Sequence, residues 1–84
     1  NFMDQMLRSD DGLRVEEVVV PDTFADTTVS ELTPRTKEYL LMAVHVNGQW
    51  TFNPPDDFMV GGGAVLVIMA NPNGRVHLEN LLRA

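Results

Sequence analysis

Cysteine is absent from this chain of 84 residues, which excludes disulfides and thiolate metal sites. Basic residues are scarce: 6 stand against 12 acidic ones, for a net charge of −6. Nucleic-acid binding relies on Lys and Arg displacing counterions, so no nucleic-acid partner is expected. The same balance disfavours docking on anionic lipid. Long apolar runs are missing too. The longest, Ala64 to Ala70, falls far short of the about 20 residues that span a bilayer, so no direct membrane insertion is expected. Asn1-Phe2-Met3-Asp4 places no basic stretch ahead of an apolar core, so no signal peptide is read there. A start without Met is read as a piece of something larger.

Catalytic groups are equally sparse. Ser9 and Ser30 are the only serines, one in a linker and the other in the first turn of a short helix. No Ser/His/Asp arrangement follows from them, and no enzymatic activity is expected. His45 and His77 are the only histidines and lack the further ligands a zinc site demands. Asp56 and Asp57 are adjacent, so their carboxylates diverge in a turn instead of converging on a proton or a hard metal ion. The run Gly61-Gly62-Gly63 continues into Ala64-Val65 and a strand. A phosphate-cradling loop would continue into Lys, Ser or Thr and a helix, so the glycines read as a tight turn. Met3, Met6, Met42, Met59 and Met69 read as core filling or an adaptable interface, and no cofactor is expected.

What is present is the material of one small domain. Hydrophobic content of 44% supplies a core at a length where a single core is near its lower limit. Phe2, Met3, Met6 and Leu7 have the spacing of a helix end, and Ser9-Asp10-Asp11-Gly12 breaks it. Residues 1–12 are therefore read as a linker or the tail of a preceding helix, and residues 13–84 as the domain.

Leu13 to Val20 is rich in Val and stops at Pro21, which predicts a first strand. Thr28-Val29-Ser30-Glu31 matches a capping box and predicts a short helix from Val29 to Thr33, ended by Pro34. Glu38 to Val46 predicts the second strand. Asn47-Gly48 then calls for a two-residue type I′ hairpin leading to a third strand, Gln49 to Phe52. That turn pairs Val46 with Gln49, His45 with Trp50, Val44 with Thr51 and Ala43 with Phe52. Strict alternation puts Tyr39, Leu41, Ala43, His45, Trp50 and Phe52 on one side of the ribbon. Leu40, Met42, Val44 and Val46 fall on the other, with Gln49 and Thr51. Both sides are largely apolar, so both need cover, from the fold or from another chain. His45 is expected to pack on Trp50, with a ligand contact or a pH-sensitive interface as its functional alternative. His77 is expected to be an exposed helix residue.

After the turn Asn53-Pro54-Pro55-Asp56-Asp57, the apolar run Ala64 to Ala70 reads as a central strand. Asn71-Pro72 reads as an N-cap and first helical position, opening a helix to about Arg83 with Leu78, Leu81 and Leu82 inward. The fold class is α+β: a small, mostly antiparallel four-stranded sheet with two short helices, in the order strand-helix-strand-strand-strand-helix.

Those residues, taken in order, resemble the RCK C-terminal (TrkA-C) domain. The resemblance runs through Val15 to Pro21, Phe24 to Leu32, the hairpin Leu40 to Phe52, Asn53-Pro54-Pro55-Asp56, Gly63 to Ala70, and Leu78, Leu81 and Leu82. It covers Leu13 to Arg83 and rests on the order of loose patterns. It implies a cytoplasmic regulatory domain, ligand-sensing or dimerising, of a bacterial potassium channel or potassium transport protein. The place implied is an inner-membrane protein or its peripheral subunit. The partners implied are an upstream nucleotide-binding half with membrane domains, and a second copy of the chain. The expected interface is Leu41, Ala43, His45, Trp50 and Phe52, and the candidate ligand contacts are His45, Asn47, Trp50 and Asn53. The family usually has Gly where Asp26 stands, Gly-Asp where Gly63-Ala64 stand, and often a basic residue near Val46. No anionic-ligand site is carried over, since that cation is missing. The alternative is a generic accessory domain fused to an unrelated cytoplasmic enzyme or to another cation or solute antiporter.

Overall fold

The computed structural model describes residues 12–34 and 38–83. The helix end expected over Asn1 to Arg8 lies outside the described residues. The elements are β1 (Arg14–Val19), β2 (Thr27–Thr28), α1 (Val29–Leu32), β3 (Tyr39–Val46), β4 (Gln49–Phe52), β5 (Met59–Val60), β6 (Val65–Ala70) and α2 (Pro72–Arg83). The fold is α+β, with an antiparallel four-stranded sheet in the order β1-β6-β3-β4. The apolar β6 is a central strand, flanked by β1 and β3.

Local chemistry places most of these elements. Asn47 and Gly48 both have positive φ, 52° and 80°, as a type I′ turn requires, and Gly48 adopts this at no steric cost. The β3–β4 register follows from that turn: Ala43 opposite Phe52, Val44 opposite Thr51, His45 opposite Trp50 and Val46 opposite Gln49. At the start of α1 the Thr28 hydroxyl accepts from the Glu31 N–H at 3.4 Å. At the start of α2 the Asn71 Oδ1 accepts from the Gly74 N–H at 2.7 Å, closing one of the orphan donors of the first turn. The glycine run forms a turn between β5 and β6, in which the Ala64 N–H donates to the Gly61 carbonyl at 3.2 Å.

Two features depart from the expected pattern. A second, two-stranded sheet joins β2 to β5, pairing Thr27 with Val60 and Thr28 with Met59. Strands this short carry no periodicity, and contact between distant segments creates them. The larger departure is a β-bulge in β3. Against β6, Leu41 stands opposite Ile68 but Ala43 opposite Val67, so Met42 is an extra residue and the alternation shifts by one. Tyr39 and Leu41 consequently join Val44 on the helix-covered side, and Leu40 joins Ala43 and His45 on the other. The ribbon face predicted by strict alternation is therefore divided at Met42.

The core fills the covered side. Leu66 and Ile68 of β6, Val44 of β3, Val60 of β5, Leu78 of α2, and Val20 just after β1 are essentially inaccessible, and Val29, Leu32 and Leu82 close around them. Burying each such side chain stabilises the fold by about 1.5–3 kcal/mol. Where α2 begins, its Gly74 lies against the Glu38 backbone, and the Asn71 N–H donates to the Glu38 carbonyl at 3.2 Å. Arg75 reaches from α2 to Glu16 of β1 at 3.1 Å. No helix among the described residues is long and apolar enough to cross a membrane.

Candidate functional site

The side of the sheet away from α2 has no covering element among the described residues. Its positions follow from the registers of β1, β6, β3 and β4 and form three rows across the strands. One row is Val15, Met69 and Leu40. The middle row is Glu17, Val67, Ala43 and Phe52, and the third is Val19, Val65, His45 and Trp50. Exposure is high at Leu40 (62%), Val19 (63%) and Phe52 (76%), and substantial at Val15 and Trp50. Apart from Glu17 and His45 every position in these rows is apolar or aromatic. Contiguous exposed apolar patches commonly mark contact surfaces.

Within it the aromatic groups are ordered by the hairpin. His45 and Trp50 are cross-strand partners with ring centroids 4.7 Å apart and planes inclined by 55°. Two residues further along β4, Phe52 lies parallel to Trp50 at 6.4 Å and 13°. Trp50 and Phe52 thus run along the edge strand β4, and His45 joins them from the neighbouring strand β3. Of the residues expected at an interface, Ala43, His45, Trp50 and Phe52 share one surface, with Ala43 almost covered by its neighbours. Leu41 does not belong with them. The bulge turns it into the core, where it is 8% exposed.

The four candidate ligand contacts do not form one site. His45 and Trp50 lie on the open face. Asn47 lines a hollow of ≈ 340 Å³ with Asp26, Val46, Met59 and residues 61–64. Asn53, at the other end of β4, lines a separate hollow of ≈ 290 Å³ with Thr33, Tyr39, Pro54 and Asp56. Each hollow is lined by both loop and strand residues. No group of three or more His, Cys, Asp or Glu side chains placed to hold a metal ion is found among the described residues.

The polar contact buried most deeply is structural. The Tyr39 hydroxyl donates to the Leu32 carbonyl at 2.5 Å, satisfying the end of α1. Burial pushes the Tyr39 pKa up from 10.0 to about 12, because the phenolate loses its hydration there. His77 meets the same ring edge-on, with centroids 5.8 Å apart and planes at 87°. It is half-buried where an exposed helix residue was expected. Helical spacing puts His77 beside the inward Leu78, but only the packing of α2 over the start of β3 supplies the tyrosine.

No family model matches this chain, and no curated protein matches it.

Proposed function

We propose that this chain is a regulatory module of the RCK C-terminal (TrkA-C) kind, a cytoplasmic part of a potassium channel or potassium transport protein that acts by pairing with a second copy. The observation that carries the reading is the open apolar face. A sheet covered by α2 on one side presents Val15, Val19, Leu40, Trp50 and Phe52 on the other. With the two-residue strands β2 and β5 set aside, the order strand-helix-strand-strand-strand-helix is the one expected from the sequence and supports the reading. The mechanism is a shift between arrangements of the pair: a ligand or partner that favours one arrangement biases the attached domains. A ligand changes that balance only by its differential affinity for the two arrangements.

Sedimentation velocity over a concentration series to about 1 mM tests pairing. A reversible dimer is expected, weakened by Trp50→Ala by about 2 kcal/mol, or roughly 30-fold, as central aromatic anchors are. A strict monomer throughout would refute it. An unaltered dimer in the variant would place the contact elsewhere. Residues upstream in the parent protein separate the two readings. Spans of about 20 apolar residues and a Gly-x-Gly-x-x-Gly strand-turn-helix support a channel or transporter, whereas a catalytic domain supports an accessory role.

A further inference from the structure

The two edges of the four-stranded sheet are not alike. β4 is short, running Gln49–Phe52 between the Asn47-Gly48 turn and Asn53, whose φ is 47°. β1, Arg14–Val19, is longer, keeps an unbroken register against β6, and contains neither proline nor lysine. Proteins commonly blunt exposed edges with bulges, prolines or lysines, because unpaired backbone groups there invite another strand. Among the described residues no strand pairs with the outer side of β1. Its hydrogen bonds show which groups are left over. Just past its end, Val20 donates its N–H to the Ala64 carbonyl at 2.8 Å, and its carbonyl accepts from the Gly63 N–H at 2.9 Å. Alternation in an antiparallel ladder then turns Arg14, Glu16 and Val18 toward β6 as well. Val15, Glu17 and Val19 point their N–H and C=O groups away from the sheet, with their side chains on the open face.

We infer that β1 is a docking edge for an extended protein segment, added to the sheet as a further strand, that carries lysine or arginine between two apolar residues at alternate positions. Charge chooses this occupant. Glu17 is exposed and has no ion-pair partner among the described residues, whereas Glu16 is held by Arg75 at 3.1 Å. Glu17 stands between Val15 and Val19, 49% and 63% exposed. The side chains along this edge thus run apolar, acidic, apolar, and their complement runs apolar, basic, apolar. The net charge of −6 favours the same cation. A second copy of β1 fits poorly. The two antiparallel self-registers centred on the strand set Glu17 opposite Glu17 or Glu16 opposite Glu16, and like charges directly opposed are destabilising. On the α2 side, a hollow of ≈ 250 Å³ beside Val18, Pro21 and Leu82 leaves room for the segment's intervening side chains. In such an addition main-chain hydrogen bonds supply affinity, and alternate side chains supply selectivity.

This docking is separate from pairing through the open face. Amide NMR of the isotope-labelled chain tests it, by titration with the capped peptide Thr-Val-Thr-Lys-Thr-Val-Thr and with the same peptide carrying Glu in place of Lys. The amide signals of Val15, Glu17 and Val19 are expected to shift. The Lys peptide is expected to bind roughly fivefold more tightly than the Glu peptide, the difference between a paired and an opposed charge across two strands. Glu17→Lys is expected to reverse that order. Equal affinity for the two peptides overturns the choice of occupant, and with it the inference. No shift at these amides up to about 5 mM Lys peptide, enough to reveal a millimolar affinity, overturns docking at this edge. Either result leaves the pairing reading intact.

Discussion

Replacing Gly74 with alanine sets two opposing effects against each other, and the structure says which one wins. Alanine is the better helix former by about 1 kcal/mol in a helix interior, so by propensity alone Gly74→Ala stabilises α2. A Cβ at this position, however, collides with the Glu38 carbonyl oxygen and comes within 2.6 Å of its carbon. Backbone cannot swing aside as a flexible side chain does. Relief requires α2 to lift from the start of β3, which strains the packing of Leu78 and Leu82, 1% and 4% exposed. It also stretches the 3.2 Å bond from the Asn71 N–H to Glu38. Overpacking costs about 1–3 kcal/mol, and the weakened hydrogen bond about 1 kcal/mol more. The net expectation is a loss of about 2 kcal/mol, or a Tm lower by roughly 8–16 °C for a domain of this size. Urea unfolding followed by far-UV circular dichroism measures it, with Val76→Ala, at a site 52% exposed on the same helix, as the control for propensity. A Gly74→Ala variant as stable as the parent would show that α2 does not bear on β3 as described. The assignment of covered and open sides would fail with it.

Two further outcomes follow from the same geometry. Leu66→Ala, at a side chain with no accessible surface, is expected to cost about 2–5 kcal/mol. Phe52→Ser, 76% exposed, is expected to stay within about 0.5 kcal/mol of the parent while weakening self-association; a large stability loss in the second would mean that the open face belongs to the monomer core. Alkaline titration concerns Tyr39, whose pKa is raised from 10.0 to about 12. The folded state therefore holds its proton more tightly than the unfolded state. The resulting stability is complete below pH 10 and is lost as the pH rises through 12. Allowing for solvent at the rim of the site, the loss is about 1–2 kcal/mol. Absorbance of the phenolate at high pH, with Tyr39→Phe as reference, checks this; an ordinary tyrosine titration in the folded protein would refute it.

The elements legible in the sequence are those decided by neighbours along the chain. Asn47-Gly48 sets a two-residue turn, and the turn sets the four pairs from Ala43–Phe52 to Val46–Gln49. Thr28 and Asn71 cap the two helices through bonds to residues three positions on. The unbroken apolar composition of β6 marks it as a central strand before any partner is known. The contact between His45 and Trp50 follows from the same local register.

Tertiary structure alone decided which ribbon residues are covered. The bulge at Met42 exists only where β3 lies against β6, so no pattern within Tyr39–Val46 reveals it. A period of two amplifies one extra residue into an exchange of faces, sending Leu41 to the core and Leu40 to the open side. The β2–β5 pairing and the His77–Tyr39 contact also join segments far apart in the chain. Turn chemistry and caps act over a few bonds and are written in consecutive residues. Register between distant strands is set by the packing of the whole domain, and with it the surface offered to a partner.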